Sequence, residues 1–283
     1  MGKHLINNAP RRSDYNYIID RVKYYNKLDN NSLFTTNTVS IKDIKRGDNA
    51  SSYYFDTVEI CNYFNPKLRV ALEWGDVTYI PEHPAIVKSR PINGANENSI
   101  LMKLNKNRHF TFVNDKMEWE EKMDRVIFRG KIPGKEKRVR FFELYFHHKL
   151  VNLGDTSRNG RKEWNQGKMT INEQLKYKFI LALEGNDVAS NLKWVMSSNS
   201  IAVMPTPEFE TWFMEGRLIP NYHYIHIADD YSNLEERINY YINHPDEAKK
   251  IIRNANEYVN QFRNNHREHI ISLLTLEKTL TSP

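Results

Sequence analysis

The stretch whose reading decides the fold is "KYKFILALEGNDVASNLKW", residues 176–194. Tyr177, Phe179, Ile180, Leu181, Ala182 and Leu183 form a nearly unbroken apolar run, as expected of a strand buried on both faces of a parallel sheet. Gly185 stops the run, and Val188, Leu192 and Val195 resume at helical spacing. Asn186 or Asp187 is then placed to cap a helix beginning near Val188. The N–H groups of such a first turn carry about half a positive charge and make a ready anion site, to which Ser190 would add a hydroxyl donor. The plainer reading of the same residues is a strand, a turn and a helix with an Asx cap.

Working outward, the alternation repeats. "DRVIFRG" (124–130) reads as a strand, followed by a basic loop and the helix "RVRFFELYFHHKL" (138–150). "SIAVMPT" (200–206) and "HYIHIADD" (223–230) are further strands. Ser232 and Glu235 spell a capping box ahead of the helix "NLEERINYYI". In "PDEAKKIIRNANEYVNQF" (245–262), Ala248, Ile251, Ile252, Ala255, Val259 and Phe262 share one face. Strands alternating with helices argue for an α/β lobe with a parallel sheet, Rossmann-like, over about 120–265. Residues 1–119 form an N-terminal lobe with a less regular pattern. Its helices are expected in "SDYNYIIDRVKYYNKL" and "YYFDTVEICNYF", and short strands in "TNTVSIKDI", "KLRVALEWGDVTYI", "PAIVKSRPI" and "HFTFVND". The C-terminal helix, 266–283, is free to pack back on it.

With 13 Phe, 16 Tyr and 5 Trp in 283 residues, the chain is too rich in core-forming side chains to be disordered. Its single cysteine, Cys61, allows no internal disulfide, which fits a reducing compartment. No apolar run reaches membrane-spanning length. The start, "MGKHLINNAPRRSDYN", has no apolar core of a secretory signal, and Ile6 stands where myristoylation favours Ser or Thr. A cytoplasmic protein is expected. The net charge of +6 points to anionic partners or, more simply, to a lysine-rich solvated surface.

The second cationic feature is "FRGKIPGKEKRVR", residues 128–140, with six basic residues against Glu136 alone. Guanidinium presents a planar fork that matches phosphate, so Arg129, Arg138 and Arg140 are better candidates than Lys131, Lys135 or Lys137. The loop is not a P-loop: three residues separate Gly130 from Gly134, and Glu136 stands where Ser or Thr would hold magnesium. No G-x-G-x-x-G fingerprint occurs, "FHHKL" and "HREH" lack zinc spacing, and there is no D-x-D pair. Two cationic turns without a carboxylate pair point to phosphate held by protein cations, with no metal or cofactor expected.

The blocks F-R-G, K-Y-K with its apolar strand and glycine, L-K, a buried strand, E-x-x-F and H-Y together resemble glycosyltransferase family 90 over about 125–265. That family includes bacterial lipopolysaccharide-modifying transferases and Rumi-type protein O-glucosyltransferases. The resemblance implies a GT-B fold, two Rossmann-like lobes facing a cleft, and an inverting, metal-independent transfer from a UDP-sugar of the glucose or xylose type to a lipopolysaccharide or related glycan. The family's arginine after F-R-G falls on Lys137 or Arg138, and Arg138 is preferred. The second family arginine is replaced by Asn191, with Lys193 as a candidate substitute. Donor contacts are expected from Arg129, Arg138, Gly185, Asn186, Asp187, Ser190, Asn191, Lys193 and Glu210. Trp212 and Phe213 beside Glu208 and Glu210 read more readily as core, and Trp74-Gly75-Asp76 as an acceptor-side strand exit. The family's catalytic base falls on Asp43 in "SIKDIKRGDN", with Asp48 and then Asp56 behind it. Peripheral contact with the anionic inner membrane is expected, and nucleic-acid binding is not. Two alternatives remain: a non-enzymatic anion or nucleic-acid module, and an inactive UDP-binding homologue.

Overall fold

The computed structural model describes residues 12–28, 37–47 and 51–280. The chain divides into two compact units, Met1–Asn105 with Phe262–Pro283, and Lys106–Gln261. Both combine helices with parallel strands, so the class is α/β. No helix among the described residues is long and apolar enough to cross a membrane.

The first unit opens with α1 (Arg12–Tyr25), and β1 (Val39–Ser40) pairs antiparallel with β2 (Arg69–Val70) around α2 (Ser51–Cys61). Of the expected strand "TNTVSIKDI", only two residues pair; the chain then turns through a short 3-10 segment, Ile41–Asp43. β3 (Leu72–Glu73), β4 (Ala85–Val87) and, after β5 (Ser89–Pro91), β6 (Ser99–Leu101) include a three-stranded parallel sheet in the order β3-β4-β6. The C-terminal helix, Asn265–Glu277, lies against α1. Their seam is ionic. Arg21 is fully buried, 2.9 Å from Glu268, with its Nε donating to the Tyr25 hydroxyl at 2.7 Å. Burial alone would lower the Arg21 guanidinium, but Tyr25, Glu268 and Tyr17 outweigh it, and the net shift is upward. Asn26 and Lys278 extend the seam through bonds to the Thr275 and Asn26 carbonyls at 3.1 and 3.0 Å.

The second unit begins with α3 (Lys106–His109) and is built on one parallel sheet: β7 (Met123–Gly130), β8 (Val151–Asp155), β9 (Tyr177–Leu181), β10 (Ile201–Met204) and β12 (Ile225–His226), with β11 (Phe209–Thr211) a separate short strand. The spatial order is β8-β7-β9-β10-β12. Every residue of β9 and β10 is buried, which is why these two strands read as continuous apolar runs. Helices α4 (Glu136–Tyr145), α5 (Ile171–Gln174), α6 (Leu192–Met196), α7 (Leu234–Asn243) and α8 (Pro245–Asn260) connect and cover the sheet. Phe141 and Phe142 of α4 join Val126 and Phe128 in the core; truncating such a phenylalanine costs about 3–5 kcal/mol.

Three local expectations are corrected. "HFTFVND" forms no strand: Val113 N donates to the Ser197 hydroxyl at 2.9 Å, and Asp115 accepts from Lys122 and from Asn199 N, so side chains satisfy this segment. The capping box does not form, because Ser232 donates to Asp230 at 2.7 Å while Glu235 lies 3.3 Å from His148. β8 is an additional strand, hidden in "VNLGD" by too few apolar residues to show a period.

Candidate functional site

In sequence order the five strands of this sheet stand 2-1-3-4-5 across it, so the winding reverses between β7 and β9. Open parallel sheets bind ligands beyond the carboxyl ends of the strands at such a reversal. Here that place is made by Gly130 at the end of β7, by Lys131 after it, and by Leu183, Glu184 and Gly185 after β9.

Arg138, in the first turn of α4, reaches back into it. Its Nε donates to the Glu184 carbonyl at 3.1 Å, Nη1 to Lys131 at 2.9 Å and Nη2 to Leu183 at 2.8 Å. Those bonds use three of the five guanidinium N–H donors and leave two. The guanidinium also lies 5.4 Å from the centre of the Phe128 ring. A Cβ on Gly185 would sit 3.1 Å from Nη2, so the glycine makes room for this approach. Burial, then repulsion from Arg108, lower the guanidinium to about 10, against the pull of Glu184. Arg108, on α3, is exposed and has no hydrogen-bond or ion-pair partner among the described residues. Arg108 repels Arg138, and neither forms an ion pair among the described residues, so an anion arriving there would meet charge not yet paired.

Lys137 is engaged differently. Its Nζ contacts Glu184 at 2.9 Å and Glu208 at 2.7 Å. Burial alone would lower it, but those carboxylates outweigh burial and the net shift is upward. Glu184 is pushed up by burial against the bonds from Lys137 and from the Phe209 and Glu208 N–H groups. This clasp ties the 205–209 loop to the end of β9.

The other residues expected at the site are not gathered there. Strand alternation puts Arg129 on the face opposite Phe128, and it bonds the Asn152 carbonyl at 3.1 Å and the Asn152 side chain at 2.9 Å. No helix begins at Val188: β9 ends at Leu181 and α6 has only five residues, too few aligned peptides for a useful dipole. Val188, Ala189 and Leu192 instead line a narrow apolar hollow with Ala182 and Met204, and Asn191 Nδ2 donates to the Leu181 carbonyl at 2.9 Å. The anion-binding helix end is therefore withdrawn. Lys193 does not replace the missing arginine, because it is buried against Glu215 at 2.5 Å. Asn186 accepts from Lys135, Asp187 and Glu210 are buried, and Ser190 is half-buried. Trp212 and Phe213 are core.

In the first unit, Asp43 closes the Ile41–Asp43 turn with its side chain exposed. The turn is fixed by bonds from Ile41 N to the Leu68 carbonyl at 2.9 Å and from Lys42 N to Pro66 at 3.1 Å. Asp48 lies outside the described residues, and Asp56 is half-buried on α2. No group of three or more His, Cys, Asp and Glu that could hold a metal ion occurs among the described residues.

Arg108 is the residue that sequence reasoning missed. Nothing in "NKNRHF" marks it; its interest comes from the neighbour it is folded beside.

Residues 97–270 match the model of glycosyl transferase family 90. The chain is 40% identical over 262 residues to the O-glucosyltransferase LpsA of Dichelobacter nodosus, covering 92% of this chain and 82% of that protein. It is 26% identical over 167 residues to protein O-glucosyltransferase 3 of Homo sapiens, covering 56% of this chain and 32% of the human one.

Proposed function

Because the chain belongs to glycosyltransferase family 90, and is on that ground a glycosyltransferase, we propose that it moves a sugar of the glucose or xylose type from a UDP-sugar to a lipopolysaccharide or related glycan. The transfer inverts the anomeric carbon and uses no metal. We take the two units as the lobes of a GT-B architecture, with the donor held by the second. The observation that carries this reading is Arg138 at the sheet reversal, with donors to spare and Arg108 beside it.

Asp43 is the base in this reading. Its carboxylate takes the proton of the acceptor hydroxyl as that oxygen bonds the anomeric carbon. The bond from the anomeric carbon to the β-phosphate oxygen breaks, and UDP leaves from the opposite face with the electron pair. Negative charge grows on the diphosphate along this path, and prepositioned cations stabilise it without reorganising. Arg138 supplies that function with Arg108, whereas Arg129, Lys193 and the segment around Val188 do not. The names of both relatives support glucose as the sugar moved. The net charge of +6 supports a cytoplasmic enzyme working against an anionic inner membrane face.

UDP at a hundred times its dissociation constant should stabilise the protein by about 2.7 kcal/mol, read as a raised melting temperature. No shift at millimolar UDP sinks the donor assignment. Asp43→Asn should abolish transfer while keeping that shift; continued turnover moves the base to Asp48.

A further inference from the structure

The first unit contains a concave region that the donor reading leaves unused. A hollow of about 480 Å³, open to solvent, is lined among others by Asn37, Glu73, Tyr79, Glu82 and His83. Ligand sites span about 300–1,000 Å³, so the space suffices for more than one sugar ring. Tyr79 is 58% exposed, yet its orientation is fixed: the hydroxyl donates to Glu73 Oε2 at 2.7 Å. An aromatic ring held in place and left wet is an apolar surface with a polar handle, available to a flat partner at little entropic cost. The loop that carries it leaves Trp74-Gly75-Asp76, and Asp76 anchors it through a 2.5 Å ion pair with the buried Lys88.

The charge of the hollow narrows the ligand. Among the described residues its lining includes Glu73 and Glu82 and no lysine or arginine, in a chain whose net charge is +6. Phosphates and other anions are repelled there. Carboxylates accept strongly from neutral hydroxyls, and the ring offers a platform for the C–H face of a pyranose. We propose that this hollow is a neutral-carbohydrate subsite that holds an unphosphorylated portion of the acceptor glycan. The glycosyl-transfer reading enters only in naming the carbohydrate as acceptor; the recognition chemistry is local.

Saturation-transfer NMR on the full chain tests it, with cellotriose, maltotriose and mannotriose as neutral probes and glucose 6-phosphate as the anionic one. At least one trisaccharide should receive saturation, glucose 6-phosphate should not, and Tyr79→Ala should weaken binding by about tenfold, the loss expected for one stacking ring. Tyr79→Phe, which keeps the ring, should retain most of the signal. Silence from all three trisaccharides, undiminished transfer in Tyr79→Ala, or a preference for glucose 6-phosphate overturns the proposal. The UDP-induced melting shift, run on the same samples, separates the two readings. UDP protection without trisaccharide signals removes the subsite and leaves the donor site; the reverse removes the donor site alone.

Discussion

Two arginines, one in each unit, are both disfavoured by burial, Arg21 fully and Arg138 partly enclosed, with opposite results. Arg21, in the seam between α1 and the C-terminal helix, has Glu268 at 2.9 Å and the Tyr17 and Tyr25 hydroxyls as further acceptors, and its charged form is held more firmly than in water. Arg138, at the reversal of the second unit's sheet, meets three carbonyls and another arginine, and is lowered to about 10. The carboxylate that acts on it, Glu184, already serves Lys137 and two backbone N–H groups. A structural arginine is folded together with its counter-charge. Arg138 has no carboxylate in ion-pair contact among the described residues, and that separates a cation that holds the molecule together from a cation that waits for a ligand.

The contrast can be broken from either end. Glu268→Gln should have the largest effect on folding, about 3–5 kcal/mol, because it leaves the Arg21 charge buried and unpaired. Denaturant titration measures that loss, and the affinity of the folded protein for UDP should not change. Arg138→Ala should do the opposite. It should cost less stability, about 1–3 kcal/mol for the carbonyls left unpaired, and lower kcat by about a hundred- to a thousandfold, the usual cost of losing one prepositioned donor to a developing oxyanion. If Arg138→Ala unfolds the protein instead, the two arginines are the same kind of residue and the distinction fails. Arg108→Ala should weaken UDP about tenfold and UMP much less, since one exposed charge on a phosphate is worth about 1 kcal/mol or slightly more. Equal effects on the two nucleotides would place Arg108 away from the outer phosphate. Smallest of all, Gly185→Ala sets a methyl 3.1 Å from Arg138 Nη2, and that long side chain can shift by a few tenths of an ångström. A loss of UDP affinity of about threefold, by calorimetry, is expected from a displaced rather than deleted donor.

The sequence carried the fold where burial was uniform and the site where chemistry was local. β9 and β10 are buried on both faces, so both read as apolar runs, broken in β9 only by Lys178, which pairs with Asp124. α8 was legible because Ala248, Ile251, Ile252, Ala255 and Val259 all face the core. β8 was not, because Gly154 and Asp155 interrupt its apolar pattern. The segment after Gly185 has the letters of a helix start, yet Val188 and Ala189 pack into a hollow that only the assembled sheet creates. Lys193 looked available because burial against Glu215 is not written in its neighbours. Arg129 was avoidable: it follows Phe128 in a strand, and two adjacent residues cannot face the same side. Arg108 had no sequence signal at all, since its meaning is a distance to a residue on another element.

The first unit is assembled from both ends of the chain, with Arg21 and Glu268 separated by 247 positions. On the ribosome, residues 106–261 emerge whole and can collapse on their own while synthesis continues. The opening helix has no such freedom. Its arginine stays hydrated until Glu268 has been made, so α1 docks late, and a nascent chain stalled before residue 268 carries a finished domain and an unfinished one.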